Sequence, residues 1–292
     1  MNTLQKTQQA MSLQHMRQRP HWSYSRINGL VNHCSLQWAF RYVYNIEPAF
    51  TSPALVFGTA WHRTLELVFN RRREGSYTTT QDAAAFFDEQ FRLECSEAEP
   101  AVRFGEKEDT ETLAQKGREM LPCILEELDT TERVVNTSVP FSAPLVDADD
   151  RKLDAPLVGE FDCVLEKEGT PVIVDWKTAA KRWPEHKVKA DLQSTCYLYA
   201  WYHLHPWTHA EFRFDVVTKA KTPTYTTYRA ERDIEDFRRL GEMVRVLERM
   251  IQAEAFLPDE QSYDCSNCPY TEACRRWHRE FVYREMVHLA AA

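Results

Sequence analysis

Apolar positions recur along this chain with two different spacings. From Ser23 to Tyr44, Ile27, Leu30, Val31, Cys34, Trp38 and Tyr42 recur at three- and four-residue intervals, which predicts one helix with an aromatic face. The same period predicts helices over Leu55–Asn70, Gln81–Glu97 and Thr110–Leu128. From Val134 to Lys177 the pattern shifts to β-branched and apolar runs broken by turn residues, and these predict strands. Val188–His203 returns to the helical period. Glu211–Thr218 and Thr224–Arg229 read as strands, and Ile234–Ala255 as an amphipathic helix. The result is an α/β arrangement with a mixed, largely antiparallel central sheet flanked by helices. It is not a doubly wound dinucleotide fold, because no Gly-rich phosphate loop follows a strand.

One segment carries chemistry. Leu157–Glu166 and Pro171–Lys177 are rich in apolar and β-branched residues, with Lys167-Glu168-Gly169-Thr170 between them as a turn signal. A two-residue turn at Glu168-Gly169 sets Lys167 against Thr170. Counting outward then places Asp162 opposite Asp175, with Cβ atoms about 4.5–5.5 Å apart. Two carboxylates that close repel unless a cation lies between them. Lys177, two residues past Asp175, projects from the same face. A divalent ion beside an ammonium is machinery for phosphoryl transfer. A slip of one residue would destroy the alignment. Glu160, two residues before Asp162, is a lesser candidate for positioning water.

Composition narrows the class. With 292 residues, 27% charged and 43% hydrophobic, the chain reads as a soluble globular protein able to bury a large core. No apolar run approaches the roughly 20 residues that span a membrane. Residues 1–20 are polar and Gln-rich, read as a flexible lead-in without a signal-peptide core, and residues 21–292 as a single domain. The net charge of −8 excludes a broad nonspecific nucleic-acid coat but allows a local basic groove. Arg71-Arg72-Arg73, Lys181-Arg182 with Lys187 and Lys189, and Lys219 with Lys221 are local basic clusters.

The chain has eight cysteines, which suggests thiols or metal ligands in a reducing, cytoplasmic setting. Cys265, Cys268 and Cys274 form a compact set, one ligand short of a tetrahedral site. Cys34 is the obvious fourth; Cys95, Cys123, Cys163 and Cys196 compete but sit in segments where a thiol packs as a small hydrophobe. Zinc and an iron–sulfur cluster both suit four thiolates.

Taken together, these motifs resemble the RecB-type PD-(D/E)xK exonucleases, in particular the iron–sulfur branch that includes CRISPR-associated nucleases and the AddB nuclease domain. Tyr24-Ser25-Arg26-Ile27 and Asn32-His33-Cys34-Ser35-Leu36-Gln37-Trp38 look like the family's opening helix. Gly58-Thr59-Ala60-Trp61-His62-Arg63-Thr64-Leu65-Glu66 looks like its histidine helix. Gly159-Glu160-Phe161-Asp162 and Asp175-Trp176-Lys177 look like the two core motifs, and Gln193-Ser194-Thr195-Cys196-Tyr197 like the closing QxxxY motif. Ser35 stands where a proline commonly follows the first cysteine.

The resemblance implies a restriction-endonuclease-like core closed by an N-/C-terminal iron–sulfur region. It implies a Mg²⁺ or Mn²⁺ ion held by His62, Asp162 and Asp175, and catalysis by Asp162, Asp175 and Lys177. Gln193 and Tyr197 would contact DNA phosphate or orient Lys177. A [4Fe-4S] cluster would be held by Cys34, Cys265, Cys268 and Cys274, with a structural role. The implied activity is exonucleolytic cleavage of DNA ends or single strands, with recombination or CRISPR-adaptation proteins as partners. Two competing readings are a DNA-binding or adaptation-complex subunit with weak cleavage, and a zinc-stapled structural protein.

Overall fold

The computed structural model describes residues 12–261 and 263–280. Six helices precede the sheet: α1 Leu13–Arg17, α2 Tyr24–Val31, α3 Ser35–Tyr42, α4 Pro53–Arg73, α5 Thr80–Glu97 and α6 Thr110–Leu125. Strands β1 Arg133–Ala143, β2 Leu157–Lys167 and β3 Thr170–Ala179 follow, then α7 Glu185–Ala190 and α8 Leu192–Leu204. Strands β4 Glu211–Thr218 and β5 Tyr225–Ala230 and helix α9 Ile234–Gln252 complete the core. Residues 271–280 are helical. Among the described residues, no helix is long and apolar enough to cross a membrane.

The five strands lie in sequence order in one sheet. Three pairings are antiparallel and β3–β4 is parallel, so the sheet is mixed and largely antiparallel as expected. Parallel neighbours need a long crossover; α7 and α8 supply it. The β2–β3 turn has Glu168 at φ 50° and Gly169 at φ 82°. Two left-handed residues in succession make the tight turn whose twist suits a hairpin. Lys167 pairs with Thr170, as the sequence predicts.

Apolar residues cover both faces of the sheet. One core joins Phe161, Ile173 and Phe214 to α2, α3, α8 and α9. The other joins Cys163, Val174 and Trp176 to α4, α5 and α6. Burial on both faces explains why β3 reads as a continuous apolar run. At Gly159 a side chain would collide with the Phe141 ring, so glycine permits β1 and β2 to pack there.

Two expected helices are each two. The predicted Ser23–Tyr44 helix breaks after Val31, and Cys34 is the N-cap of α3, its Sγ accepting the Gln37 N–H at 3.4 Å. The predicted Val188–His203 helix breaks at Asp191, whose carboxylate accepts the Gln193 N–H at 2.9 Å and caps α8. In both cases a side chain takes a backbone donor that a continuous helix would have used. Of the expected lead-in, residues 1–11 lie outside the described residues, and Leu13–Arg17 forms α1, capped by Ser12.

Candidate active site

A cleft of about 640 Å³ opens between α4, the first half of β2 and the start of α8. His62, Glu66, Glu160, Asp162, Gln193 and Tyr197 line it. The β2–β3 ladder runs from Lys167–Thr170 to Cys163–Val174 and stops one pair short of Asp162 and Asp175. There the Asp162 carboxylate accepts the Trp176 backbone N–H at 2.9 Å. A side chain replaces the next rung, so the strands part where the carboxylates begin.

His62 comes from α4. Its Nδ1–H donates to the Gly58 carbonyl, one turn earlier, at 2.8 Å. A carbonyl only accepts, so Nδ1 carries a proton and Nε2 is turned to Asp162 Oδ2, 3.0 Å away. Burial lowers the His62 pKa, but the charge and hydrogen bond of Asp162 outweigh it and raise it to about 9. Burial raises Asp162, and His62 pulls it back below the usual carboxylate value.

Asp175 is almost wholly buried, at 1% exposure. Its Oδ2 lies 2.6 Å from Lys177 Nζ. Its Oδ1 accepts from Gln193 Nε2. Burial pushes Asp175 up to about 7, against the pull of Lys177. Burial lowers Lys177, but Asp175 and Asp162 more than compensate and raise it. Gln193 Nε2 also donates to the Tyr197 hydroxyl at 3.0 Å. Gln193 therefore orients Asp175, whereas the sequence points to DNA phosphate or Lys177. Glu160 is half-buried and raised, by burial first and then by Asp162 and Glu66.

Sequence reasoning assigns no role to the Trp176 backbone, and no residue type could have marked it, because the group used is an N–H. It also gives Tyr24 no separate role. Tyr24 begins α2, lines the cleft and is raised by burial and the charges of Asp191 and Asp175. An aromatic residue right after a Ser N-cap was the available signal.

Among the described residues, no three of His, Cys, Asp and Glu converge closely enough to hold a metal ion as they stand. The active-site groups are instead closed into two pairs, His62–Asp162 and Lys177–Asp175. The donor set nevertheless fits a hard divalent cation. It offers carboxylate oxygens and one oriented imidazole. One buried acceptor there, Gln193 Oε1, lacks a hydrogen-bond donor, and Asp175 Oδ2 has the Lys177 ammonium alone. Buried acceptors are rarely left so.

The four expected cysteines lie around a shared pocket without converging on one point. Cys34, Cys265, Cys268 and Cys274 line one cavity of about 280 Å³. Cys34 Sγ accepts from Asp259 N–H as well as Gln37 N–H, each at 3.4 Å, and Cys268 Sγ accepts from Tyr270 N–H at 3.4 Å. Burial raises the Cys274 thiol, and the other three thiols add to the rise. Cys95 and Cys123 pack with the α4–α6 core, where Cys163 is buried; Cys196 lies in the other core, pushed up to about 12 by burial.

The sheet and the cleft at its splayed hairpin fit a nuclease. Over residues 21–275 the sequence matches the PD-(D/E)XK nuclease superfamily, and the chain belongs to it. No curated protein matches it in sequence. Among solved structures it is similar to the crystal structure of a "Putative exonuclease" from Eubacterium rectale, at 13% identity and a TM-score of 0.52, over 90% of this chain and 92% of that one. That likeness is one of fold.

Proposed function

We propose that this chain is a divalent-metal-dependent deoxyribonuclease that acts exonucleolytically on DNA ends or single strands. The observation that carries the reading is Asp175: a buried carboxylate held by Lys177 on Oδ2 and by Gln193 on Oδ1, beside Asp162 at a splayed hairpin. Asp162, Asp175 and His62 are the residues that would hold Mg²⁺ or Mn²⁺. When bound, the ion polarises the phosphodiester and offsets charge in the transition state. Lys177 leaves its ion pair to orient the nucleophile and to neutralise charge developing on phosphate oxygens. Gln193 keeps Asp175 in one rotamer, and Tyr197 keeps Gln193. The Gly58 carbonyl fixes the His62 tautomer. Exonuclease mode is supported by the resemblance of the motif set.

The cysteine cavity supports a [4Fe-4S] cluster held by Cys34, Cys265, Cys268 and Cys274. A single zinc ion needs its thiolates around a point. These thiols line a cavity of about 280 Å³, and the resemblance of the motif set favours the cluster over zinc. Backbone N–H groups donate to the sulfurs of Cys34 and Cys268, an environment that also suits cluster sulfurs. Such a cluster would tie α3 to the C-terminal segment and restrict the unfolded chain.

The test is cleavage of end-labelled single- and double-stranded DNA by anaerobically purified protein with Mg²⁺ or Mn²⁺, beside Asp175→Ala. The parent shortens DNA from its ends, and the variant folds but leaves it intact. Full cleavage by Asp175→Ala would remove the assigned site.

A further inference from the structure

Two basic clusters that are distant in sequence meet beside the cleft. β3 and β4 run parallel, with Ala179 opposite Thr218. The Lys219 N–H donates to the Ala179 carbonyl at 2.7 Å. The segment after β3, with Lys181 and Arg182, and the segment after β4, with Lys219 and Lys221, therefore leave the sheet side by side. This edge lies directly beyond Lys177 on β3. It also adjoins α4: Lys219 Nζ sits 4.0 Å above the Phe57 ring, and Gly58, the next residue, lines the cleft.

Three of these cations are not spent on the fold, and Lys219 is held over the Phe57 ring. Lys181, Arg182 and Lys221 are exposed. Among the described residues, none of them is engaged by a carboxylate, and Lys219 feels Glu108 at a distance but has no ion pair. Burial of Lys219 lowers its pKa to about 8. Lys116, which donates to the Ala220 carbonyl at 3.2 Å, is paired with Glu119 at 3.4 Å and adds no free charge. Other basic clusters behave differently. Arg72 donates to the Asp129 and Glu132 carbonyls and Arg73 to Asn136. Lys187 lies 3.4 Å from Asp191. On a chain of net charge −8, unpaired cations gathered at the cleft's edge need an anion from outside.

We propose that Lys181, Arg182, Lys219 and Lys221 form one phosphate-binding lip that holds the backbone of a nucleic-acid strand on the side of the scissile phosphate beyond Lys177. This deepens the nuclease reading and rests on it. Adjacent strand ends stand about 4.8 Å apart, so the lip follows a single row of phosphates. It reads charge and not base identity. It explains how an acidic protein binds a polyanion: the basic surface is assembled only where the cleft opens.

The experiment measures binding of a fluorescein-labelled oligothymidylate in EDTA by anisotropy over a range of salt. Each neutralised phosphate contributes about 0.7 to the slope of log affinity against log salt for single strands. The variant with Lys181→Gln, Arg182→Gln and Lys221→Gln alters only exposed side chains and keeps the fold. It should flatten the slope by about 2 and, with affinity at 1 M salt unchanged, weaken binding about 100-fold near 0.1 M salt. Lys219→Gln is measured separately, with its melting temperature, because that side chain is half-buried. Arg71→Gln with Arg73→Gln serves as the control and should leave the slope unchanged. An unchanged slope and affinity in the triple variant overturns the lip. Cleavage assays of the unmutated chain separate the two readings. A chain that binds through the lip but never cleaves with Mg²⁺ or Mn²⁺ removes the nuclease reading alone. A chain that cleaves while the triple variant binds like the parent removes the lip alone.

Discussion

The sheet buries two ionic clusters on its two faces, and they are built to opposite ends. Asp175 faces α8, while Asp215, opposite its neighbour Trp176, faces the α4–α6 side. Around Asp215 each carboxylate meets a cation. Arg213 gives Glu132 two hydrogen bonds, at 2.6 and 2.9 Å, and its Nε lies 3.0 Å from Asp215 Oδ1. Lys167 sits 2.8 Å from Asp129 and 3.9 Å from Glu132. A planar guanidinium forked between carboxylates neutralises them in place. Around Asp175 there is one lysine, one histidine, two aspartates and Glu160. In the first cluster Asp215 Oδ1 meets Arg213 Nε as an ion pair only, just as Asp175 Oδ2 meets Lys177. The second cluster differs in opening to the cleft, where Glu160 has no ion pair among the described residues. A buried ionic cluster points to function when its account does not balance internally.

The comparison can be broken in four places. The largest effect is all-or-none and concerns the cysteine cavity, the other incomplete donor set. Cys34→Ala should remove the brown colour and the iron and expose both ends of the chain to proteolysis, whereas Cys95→Ala should cost only packing. Iron analysis decides it; iron retained in Cys34→Ala and lost in Cys95→Ala would reassign the ligand.

Next is the complete cluster. Arg213→Ala strands Glu132 and Asp215 as buried charges, so unfolding free energy should fall by about 3–5 kcal/mol. Cleavage per folded molecule should not change. Denaturant titration checks the first and active-site-normalised rates the second. An unaltered midpoint would mean the network carries no weight.

Lys177→Ala should lower the cleavage rate about 10²-fold while Mn²⁺ affinity changes little. If the variant instead loses metal affinity and recovers full rate at saturating Mn²⁺, the lysine serves only to hold Asp175.

The smallest effect is a pH dependence. In metal-free protein Asp175 is raised to about 7 and His62 to about 9, so the folded state binds both protons more tightly than the unfolded state. Stability from the raised His62 is full below 6.5 and lost as pH rises through 9; Asp175 removes stability between its ordinary 3.8 and about 7. Melting temperature in EDTA should therefore fall from pH 5 to pH 9, and Mn²⁺ should restore more of it at pH 8 than at pH 6, since ligands must be deprotonated. A metal effect equal at both values would show that those protons are not displaced.

The sequence by itself determines whatever is local. Glu168-Gly169 sets the turn, the turn sets the register, and the register carries Asp162, Asp175 and Lys177 to one end of a hairpin. Gly58 and His62 are one helical turn apart, so their hydrogen bond needs no tertiary help. The strand limits Glu211–Thr218 were legible because alternation and turn residues coincide there. The helix breaks at Cys34 and Asp191 were not, because a capping bond competes with helix continuation by a small margin that the surrounding core decides. Only the tertiary structure turned Gln193 onto Asp175, gave Asp162 the Trp176 N–H, gathered four cysteines from opposite ends of the chain, and set Lys219 beside Ala179. Those contacts join segments whose spacing along the chain says nothing about distance in space. They depend on the α7–α8 crossover that makes β3 and β4 parallel, and on the two cores that clamp helices to either face of the sheet.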